Sequence, residues 1–595
     1  MKLASFYPQI NQEHKQEVKK LYEWNVDSMT KLLTRDLCYS DDSESLLSTS
    51  DRKFLEKIYD DNLSKLTSYL NKVHKLNYCE KNWEILVGPW LRIAVFSFYD
   101  RWLYVENLSK YDDLKILTQK FSLKGLVPKD FNDFHLLFYK DKWNAHIYAL
   151  ISEVFKIECR VVSRNIHEDE VEKKSRSSNG MSKLFQFIKS LFYIFAYNLL
   201  NILKPLNRGT ILYNTTSYGD LAYLLLKENK GFPLIVNNSK TEVLLNESVL
   251  SNISRLRPLA EIKRKNNLHV EYDEFIFALL IMTIPSTYLE EFSKIKIPYM
   301  LNKFIVNPKT VFTSTSQWAD DAFKKWLMEN KKSDNDLKIA IWQHGGTYGT
   351  TEYLTHQEFI ETKVYDFFLS WGWKSDTNKK IIPFKMPTKL KLPKLVKNSN
   401  KHTKLLVVLT RLKKYSKGDP WDSISWNKAY IKSLIQLSDE VYERIDCALT
   451  YRVHPSQKST GLDIEGYIKQ NTKESLFDQQ KSLQESILDT RLTLVTQNST
   501  VLLQLLIGNF PVICFWDLEI SRLNTRASVE FYKLKKVGIF HENVNSVTQF
   551  IEINYKNINE WWFSEEVQLA RREFCLVYAA TSSDQAKQAL NLLKL

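Results

Sequence analysis

The stretch LTLVTQNSTVLLQLLIGNFPVICFWD, residues 492–517, predicts the class of fold. It begins with a short apolar run typical of a buried β-strand, continues through a polar turn, and then has the pattern of an apolar helix. A second apolar run, PVICFW, follows and predicts another strand. A strand, a helix and a strand in this order form the βαβ unit of a parallel sheet.

The same order of segments recurs along the chain. Residues 208–228 (RGTILYNTTSYGDLAYLLLKE) and 309–330 (KTVFTSTSQWADDAFKKWLMEN) each contain a β-rich run, a polar turn and a helical pattern. The segments LKIAIWQHGGTYG at 337–349, KLLVVLTRLKKYS at 404–416 and CALTYRVHPS at 447–456 supply further strands that end in polar loops. This alternation predicts parallel sheets of Rossmann type.

Changes in composition divide the chain into four regions. Residues 1–205 have a mainly helical pattern and form a predicted helical N-terminal region. Residues 206–390 and 400–545 are two predicted Rossmann-type domains, joined by a basic, proline-containing connector, and residues 546–595 are predicted C-terminal helices. We therefore expect an α/β fold in which two Rossmann-type domains face a cleft, with ligands at the carboxyl ends of the strands.

The composition restricts the partners and the compartment. The formal net charge of +14 over 595 residues suits an anionic partner such as nucleic acid, acidic lipid or a phosphorylated substrate. The six cysteines include no CxxC pair, which fits a reducing cytoplasm. The N-terminal residues contain no apolar segment of the kind found in secretory signals, so we expect a cytoplasmic protein.

The most apolar stretch is LFQFIKSLFYIFAYNLLNIL, residues 184–203, which Lys189 interrupts and basic residues flank. It falls short of the ~20 uninterrupted apolar residues that span a bilayer. Its pattern fits either an amphipathic helix on an anionic membrane surface or a buried helix of a helical domain. The first interpretation predicts a peripheral contact with the cytoplasmic face of the inner membrane.

Polar clusters follow the strands of the second Rossmann-type domain. Ser499 or Thr500 begins a helix, and the free N–H groups and positive dipole at that end favour a phosphate. His454, in a turn stiffened by Pro455, can donate to a phosphate or ribose oxygen, and Arg452 alternates with it in strand register. The alternative is an ordinary Ser/Thr helix cap and a strand-terminal histidine without a role.

In the first Rossmann-type domain the QHGG loop contains the candidate catalytic residue and two glycines. Two glycines, Gly345 and Gly346, allow the backbone to approach a ligand closely. An imidazole ordinarily titrates near neutral pH, so His344 is a candidate general base, and the nearby carboxylates Glu352, Glu358 and Asp366 are candidates to act instead or to orient it. The alternative role for His344 is ligand binding or loop structure. Candidate residues of an acceptor cleft are Asn214, Thr215, Tyr218, Gln343, Gly345, Gly346, Tyr348 and Trp371.

The pairing of HP (His454, Pro455) with ST (Ser499, Thr500) resembles the donor site of GT-B glycosyltransferases that use CMP-activated sugars, such as bacterial sialyltransferases and Kdo transferases. WQHGGTYG, SWGW at 370–373, RVHPS and NWEILVGPWL resemble a family of surface-polysaccharide (O-antigen) transferases. The resemblance implies a GT-B-like fold and donor nucleotide-binding residues at Arg411, Arg452, His454, Pro455, Gln497, Asn498, Ser499 and Thr500.

The resemblance implies a glycosyltransferase of O-antigen or capsule biosynthesis that transfers a nonulosonate or Kdo-like sugar from a CMP-activated donor to a glycan or lipid-linked acceptor. The sequence contains no clear DxD motif or histidine-rich cluster, so we expect no metal and no cofactor besides the nucleotide-sugar donor. One alternative is a CDP-glycerol-type or UDP-sugar transferase of the same architecture. Another is a non-catalytic protein that binds an anionic polymer, although no nucleic-acid-binding motif is present.

Overall fold

The computed structural model describes residues 2–5, 47–110, 114–118, 123–161, 209–237, 255, 271–298, 301, 308–331, 337–392, 403–419, 421–445, 447–460, 462–519 and 521–593. Residues 184–203, for which the sequence predicts a membrane contact, lie outside these ranges. Within them, no helix combines the length and the apolar character needed to cross a bilayer.

The N-terminal region contains helices and a small parallel sheet. Its helices are α1 (Thr49–His74), α2 (Glu80–Ser109), α3 (Leu123–Leu126), α4 (Phe131–Leu137) and α5 (Asp141–Val154). Its strands β1 (Lys2–Ser5), β2 (Leu114–Thr118) and β3 (Glu158–Val161) form a three-stranded parallel sheet in that order. The sequence predicts only helices here, because strands of four or five residues are too short to show a clear alternation.

Helix α2 is buried on nearly all sides and lies at the centre of the N-terminal region. Its buried side chains include Trp83, Trp90 and Trp102, and it packs against α1, α5 and elements of the first Rossmann-type domain. A helix that is apolar around its whole circumference is typical of a core position. The N-terminal region is therefore packed onto the first Rossmann-type domain.

The first Rossmann-type domain has a six-stranded parallel sheet in the order β5-β4-β6-β7-β8-β9. Its strands are β4 (Thr210–Tyr213), β5 (Leu234–Val236), β6 (Thr310–Thr313), β7 (Lys338–Trp342), β8 (Phe367–Ser370) and β9 (Ile381–Pro383). The helices are α6 (Tyr218–Lys227), α7 (Tyr272–Thr283), α8 (Ser316–Ala319), α9 (Asp321–Asn330) and α10 (His356–Lys363). Strands β4 and β6 are fully buried, as expected when helices cover both faces of a parallel sheet.

The second Rossmann-type domain repeats this architecture with the order β12-β11-β10-β13-β14-β15, again all parallel. Its strands are β10 (Lys404–Val408), β11 (Leu449–Arg452), β12 (Ser475–Phe477), β13 (Thr490–Val495), β14 (Val512–Phe515) and β15 (Phe540–His541). The helices are α11 (Ile424–Ile445), α12 (Ile464–Asn471), α13 (Leu483–Ile487), α14 (Thr500–Gly508), α15 (Thr525–Lys536) and α16 (Val544–Asn554). The predicted α/β fold with two Rossmann-type sheets is confirmed.

The C-terminal helices connect the two domains. Helices α17 (Ile558–Trp562) and α18 (Glu565–Tyr578) belong to the second domain, where α18 packs against α14 and α15. The chain then crosses to the first domain, because the Ala580 amide donates to the Trp371 carbonyl at 2.9 Å and α19 (Ser583–Leu592) packs against β9 and α6. This crossing ties the two domains together, and the Met386 amide also donates to the Ala580 carbonyl at 2.7 Å.

Candidate functional site

The two domains meet where loops leave the carboxyl ends of their sheets. Gly346, in the loop after β7, lies so close to the turn after β13 that a Cβ added to it would be 2.4 Å from both the Ser499 carbonyl carbon and the Thr500 nitrogen. Asn498 donates through Nδ2 to the Thr350 hydroxyl at 2.7 Å across the same boundary. The QHGG loop (343–346) and the NST turn (498–500), which are far apart in the sequence, are therefore in direct contact.

This contact gives Gly346 a different role from the expected one. The sequence suggests that Gly345 and Gly346 allow close approach to a ligand, but the backbone that approaches Gly346 is the Ser499–Thr500 peptide. At Gly345 a Cβ would meet only the Tyr348 ring, at 3.2 Å. The glycine is needed at position 346 because the two domains close directly on it.

His344 lies beside a buried hydrogen-bonded pair. Its Nδ1 is 3.7 Å from Glu361 Oε1, and its ring nitrogens are 3.4 and 3.5 Å from the Tyr348 hydroxyl. Tyr348 donates that hydroxyl to Glu361 Oε2 at 2.9 Å, and Gln317 donates Nε2 to Glu361 Oε1 at 2.7 Å. The His344 side chain is 17% exposed while Glu361 is fully buried, so the imidazole is the member of this group that reaches a ligand.

Burial sets the protonation states of this group. Desolvation lowers the pKa of His344 to about 4, so the imidazole is neutral at pH 7 and able to accept a proton. Burial raises the pKa of Glu361 to about 8, although the hydrogen bonds from Gln317 and Tyr348 oppose the shift. Burial also raises the pKa of Glu358, one turn away on α10, to about 8. At pH 7 the site therefore holds a neutral imidazole beside a mostly protonated Glu361 carboxyl, and the carboxyl can stabilise an imidazolium only after it ionises.

Gln343 and Trp371 hold the QHGG loop in place instead of lining a cleft. The Gln343 side chain accepts from the Trp371 amide and from the Trp373 indole, both at 2.8 Å, and donates to the Gly345 carbonyl at 2.7 Å. Trp371 is fully buried and donates its indole N–H to the Gln343 carbonyl at 2.9 Å. Gly349 closes the loop with a φ of 72°, where a Cβ would be 2.4 Å from the Trp373 ring.

The predicted anion site lies at the switch point of the second sheet, where the strand order reverses between β10 and β13. Ser499 precedes α14 as its N-cap residue, but its side chain makes no cap hydrogen bond. Within the described ranges, no protein group forms a hydrogen bond with the hydroxyl of Ser499 or of Thr500. Gln497 accepts a hydrogen bond from the Thr410 hydroxyl, which joins the ends of the two strands. The turn therefore offers free hydroxyls and a helix N-terminus at the position where such sheets bind ligands.

Cations surround this switch point. Arg411 follows β10, donates to the Tyr139 hydroxyl at 2.7 Å, and lies near enough to His454 to help burial lower the pKa of that imidazole. Lys417, which is 4% exposed, contacts His135 at 3.0 Å and lies 4.9 Å from the centre of the Tyr139 ring. Burial alone would raise the pKa of Tyr139, but these cations and Lys413 lower it. The result is a concentration of positive charge suited to an anion.

Three predicted residues lie away from this group. Asp366 is at the amino end of β8, where it accepts from Lys331 Nζ and the Ile339 amide at 2.8 Å, whereas His344 follows the carboxyl end of β7. Arg452 turns toward Asp478 and the Ser486 hydroxyl, so it does not share the direction expected from its register with His454. Glu352 is exposed and forms a 3.8 Å ion pair with Arg522 between the domains.

His454, with Pro455, is exposed at the end of β11, and its Nδ1 accepts from the Ser456 amide at 3.1 Å. Asn214, Thr215 and Tyr218 follow β4 and line a cavity at the carboxyl edge of the first sheet. The structure thus brings Arg411, His454 and the Gln497–Thr500 turn to one sheet edge, opposite the QHGG loop. Their roles remain predictions.

The sequence did not lead us to three residues that surround the candidate site: Glu361, Tyr139 and Lys417. Glu361 is three residues after Glu358 on α10, so the spacing on one helical face was the available signal. Tyr139 comes from the N-terminal region and meets Arg411 only through the packing of that region on the second domain. No local pattern in the sequence indicates that contact.

Comparison with known proteins identifies one family and several solved structures of low sequence identity. The model of the LIC12162 family transferase matches residues 28–593. Comparison with curated protein sequences gives no match. Among solved structures, TarM is 14% identical over 50% of this chain and 57% of its own, with a TM-score of 0.35, so this chain spans less than two thirds of that structure.

For two further similar structures, the match includes nearly all of the other chain. The S. aureus MnaA–UDP co-structure is 11% identical over 65% of this chain and 95% of its own, with a TM-score of 0.33. The Methanocaldococcus jannaschii UDP-GlcNAc 2-epimerase in complex with UDP-GlcNAc and UDP is 12% identical over 65% and 99%, with a TM-score of 0.33. The family match supports the expectation of an enzyme and leaves the non-catalytic alternative without support.

Proposed function

Because this chain belongs to the LIC12162 family of transferases, we propose that it is a glycosyltransferase of bacterial surface-polysaccharide biosynthesis. It transfers a sugar, of nonulosonate or Kdo type, from a CMP-activated donor to a glycan or lipid-linked acceptor. The observation that carries the proposal is the contact of Gly346 with the Ser499–Thr500 peptide. It places the histidine-bearing loop directly against the turn to which we assign the donor phosphate.

The donor side of the cleft supports a nucleotide phosphate. The first N–H groups of α14, the hydroxyls of Ser499 and Thr500, and the Arg411 guanidinium all favour an anion. Arg411 and Lys417 have no carboxylate within ion-pair distance in the described structure, while Lys413 is paired with Asp422 at 3.0 Å. The positive charge of the two unpaired cations is therefore available to the leaving nucleotide monophosphate.

The acceptor side supports proton transfer by His344. The acceptor hydroxyl oxygen attacks the anomeric carbon, the bond from that carbon to the phosphate oxygen breaks, and its electron pair leaves with the nucleotide. The hydroxyl proton passes to the neutral imidazole, and Glu361 at 3.7 Å stabilises the imidazolium once that carboxyl is ionised. The cations and the helix N-terminus stabilise the negative charge that develops on the phosphate of the leaving nucleotide. This stabilisation lowers the energy of the transition state.

The cell location follows from the same proposal. Acceptors built on lipid carriers lie at an anionic membrane surface, and a chain with a net charge of +14 is attracted to such a surface. We place the enzyme in the cytoplasm, with residues 184–203 as its contact with the cytoplasmic face of the inner membrane. Deleting the aromatic residues of that segment should lower recovery in the membrane fraction, and unchanged fractionation contradicts this role.

Nucleotide binding separates this donor class from its alternatives. CMP should raise the melting temperature of the protein more than UDP or CDP does, because the proposed site holds one phosphate and a cytidine. His454→Ala and Ser499→Ala should weaken CMP binding, while His344→Ala should keep it and lose turnover. Stabilisation by UDP without CMP would instead assign a UDP-sugar donor, and equal CMP affinity in all three variants contradicts the assignment.

A further inference from the structure

The loop that follows β10 lies against the helical N-terminal region as well as against its own domain. Lys414 Nζ and the Tyr415 hydroxyl both donate to the Asp141 carboxylate at the start of α5, each at 2.6 Å. Arg101 of α2 donates to the Ser416 carbonyl at 2.5 Å. These contacts fix the backbone of the loop against a part of the chain that belongs to neither Rossmann-type domain.

The first residue of this loop whose side chain reaches the N-terminal region is Arg411. Its Nη2 donates to the Tyr139 hydroxyl at 2.7 Å, and its guanidinium carbon is 5.2 Å from the centre of the Tyr139 ring. Among the described residues, the guanidinium makes no other hydrogen bond and no ion pair. The Arg411 side chain is only partly buried, so its remaining N–H groups are available to a ligand.

Tyr139 is itself held firmly. It lies between α4 and α5 and is 9% exposed, and its ring packs edge-on against Phe138 and His135 at centroid distances of 5.5 and 5.7 Å. Lys417 Nζ lies 4.9 Å from the centre of the same ring. A buried ring with neighbours on several sides has one rotamer, so the hydroxyl oxygen has a fixed position for Arg411.

The charges around Tyr139 strengthen the hydrogen bond. Burial alone would raise the pKa of the phenol, but Lys417, Lys413 and Arg411 together lower it. Cations that favour the phenolate make the phenol oxygen a better acceptor for an arginine N–H. The contact therefore restrains the guanidinium more firmly than a hydroxyl in a neutral environment does.

The position of Arg411 in the sheet gives this restraint a consequence for binding. Strand β10 lies between β11, which leads to His454, and β13, which leads to Ser499. An arginine side chain loses rotamer freedom when it is fixed on a ligand, and a hydrogen bond that already fixes it reduces this loss. The contacts at Asp141 hold the backbone of the loop, but only the Tyr139 hydroxyl acts on the side chain of Arg411.

We propose that Tyr139 is a positioning residue, whose hydroxyl directs the Arg411 guanidinium toward the phosphate of the donor nucleotide. The helical N-terminal region thereby completes a donor site that is otherwise built from the Rossmann-type domains. This inference rests on the proposed function, since Arg411 is assigned there to the leaving nucleotide. It adds a residue that does not touch the nucleotide and acts through the arginine.

The test is a double-mutant cycle on CMP affinity, measured by calorimetric titration of the full chain. Tyr139→Phe removes the hydroxyl and keeps the ring, and should weaken CMP binding about three- to tenfold. In the Arg411→Met background the same substitution should change the affinity by less than about 1.5-fold, because the side chain that it positions is gone. An equal loss in both backgrounds, or no loss in the parent, overturns the inference.

Two controls separate positioning from a general loosening of the loop. Tyr415→Phe removes a hydroxyl of the same loop that also contacts the N-terminal region, but its partner is the Asp141 carboxylate. It should cost similar stability in urea and leave CMP affinity within about twofold. Cytidine, which has no phosphate, should bind the parent and Tyr139→Phe equally. A loss of CMP affinity in Tyr415→Phe as large as in Tyr139→Phe, or an equal loss for cytidine, contradicts positioning.

Failure of the proposed donor gives a different result. A parent protein that binds UDP and not CMP refutes the CMP-activated donor, and the same cycle is then measured with UDP, since the phosphate is the group that Arg411 contacts. A loss confined to the background that retains Arg411 still supports the role of Tyr139, and an equal loss in both overturns it. A parent that binds neither nucleotide overturns both the proposed function and this inference.

Discussion

The contact between the two domains can be broken by a single methyl group. In Gly346→Ala the new Cβ would lie 2.4 Å from the Ser499 carbonyl carbon and the Thr500 nitrogen. Ordinary van der Waals contact begins at 3.4 Å, so the QHGG loop and the NST turn must separate by about 1 Å. Both sides are backbone, and the shift cannot be absorbed by the rotation of a side chain.

The expected losses of stability and turnover in Gly346→Ala follow from this displacement. Overpacking of this kind costs about 1–3 kcal/mol of stability. A misplacement of about 1 Å between a base and its reacting group costs on the order of 100-fold in turnover. We therefore expect Gly346→Ala to lose about two orders of magnitude in kcat and to bind CMP more weakly, because the helix N-terminus that holds the phosphate is displaced.

The assay pairs this variant with Gly345→Ala. The neighbouring substitution brings a Cβ to 3.2 Å from the Tyr348 ring, which shifts by a few tenths of an ångström, so its stability should change by less than about 1 kcal/mol. Urea denaturation gives the stabilities, calorimetric titration gives the CMP affinities, and nucleotide release gives the turnover. Equal stability, affinity and turnover in the two variants would refute the claim that Gly346 holds the cleft together.

Three further outcomes follow from the site. In the parent, kcat/KM should rise by more than about threefold between pH 6 and 8, because Glu361, with a pKa of about 8, ionises beside His344. Glu361→Gln should flatten this pH profile. An unchanged profile would show that Glu361 does not assist His344. Parent stability should fall as pH rises from about 6.5 to about 8, since the unfolded state has already released the Glu358 and Glu361 protons that the folded state keeps; at lower pH the buried histidines, with pKa values lowered to about 4, act in the opposite direction. Urea midpoints between about pH 6.5 and 8 test this, and a rise there contradicts it. Arg411→Met should weaken CMP binding at least about tenfold at low salt, while Arg522→Met, at an exposed ion pair, should not.

The sheets were predictable because their signal is local. LTLVTQNSTVLLQLLIGNFPVICFWD contains a strand, a helix and a strand with the right periods, and the structure has β13, α14 and β14 there. The position of each polar cluster after a strand was predictable for the same reason. Ser499 and His454 therefore lie at the carboxyl edge of the sheet, as the pattern required.

The directions of side chains were less predictable, because tertiary partners decide them. The strand register alone pointed Arg452 toward His454, but Asp478 at the end of β12 attracts its guanidinium. Asp366 seemed near His344 by sequence distance, yet a whole strand length separates the two ends of the sheet. The glycine of the QHGG loop predicted close approach, without indicating that the approaching group is another domain.

The most direct test of the central claim is a crystal structure of the complex with CMP. The account predicts a phosphate oxygen within about 3 Å of the first N–H groups of α14 and the Ser499 or Thr500 hydroxyl. It also predicts that Arg411 and His454 contact the nucleotide and that His344 faces it across the cleft. A nucleotide bound at any other edge of the sheets, or a cleft in which His344 is sealed from it, would contradict the account.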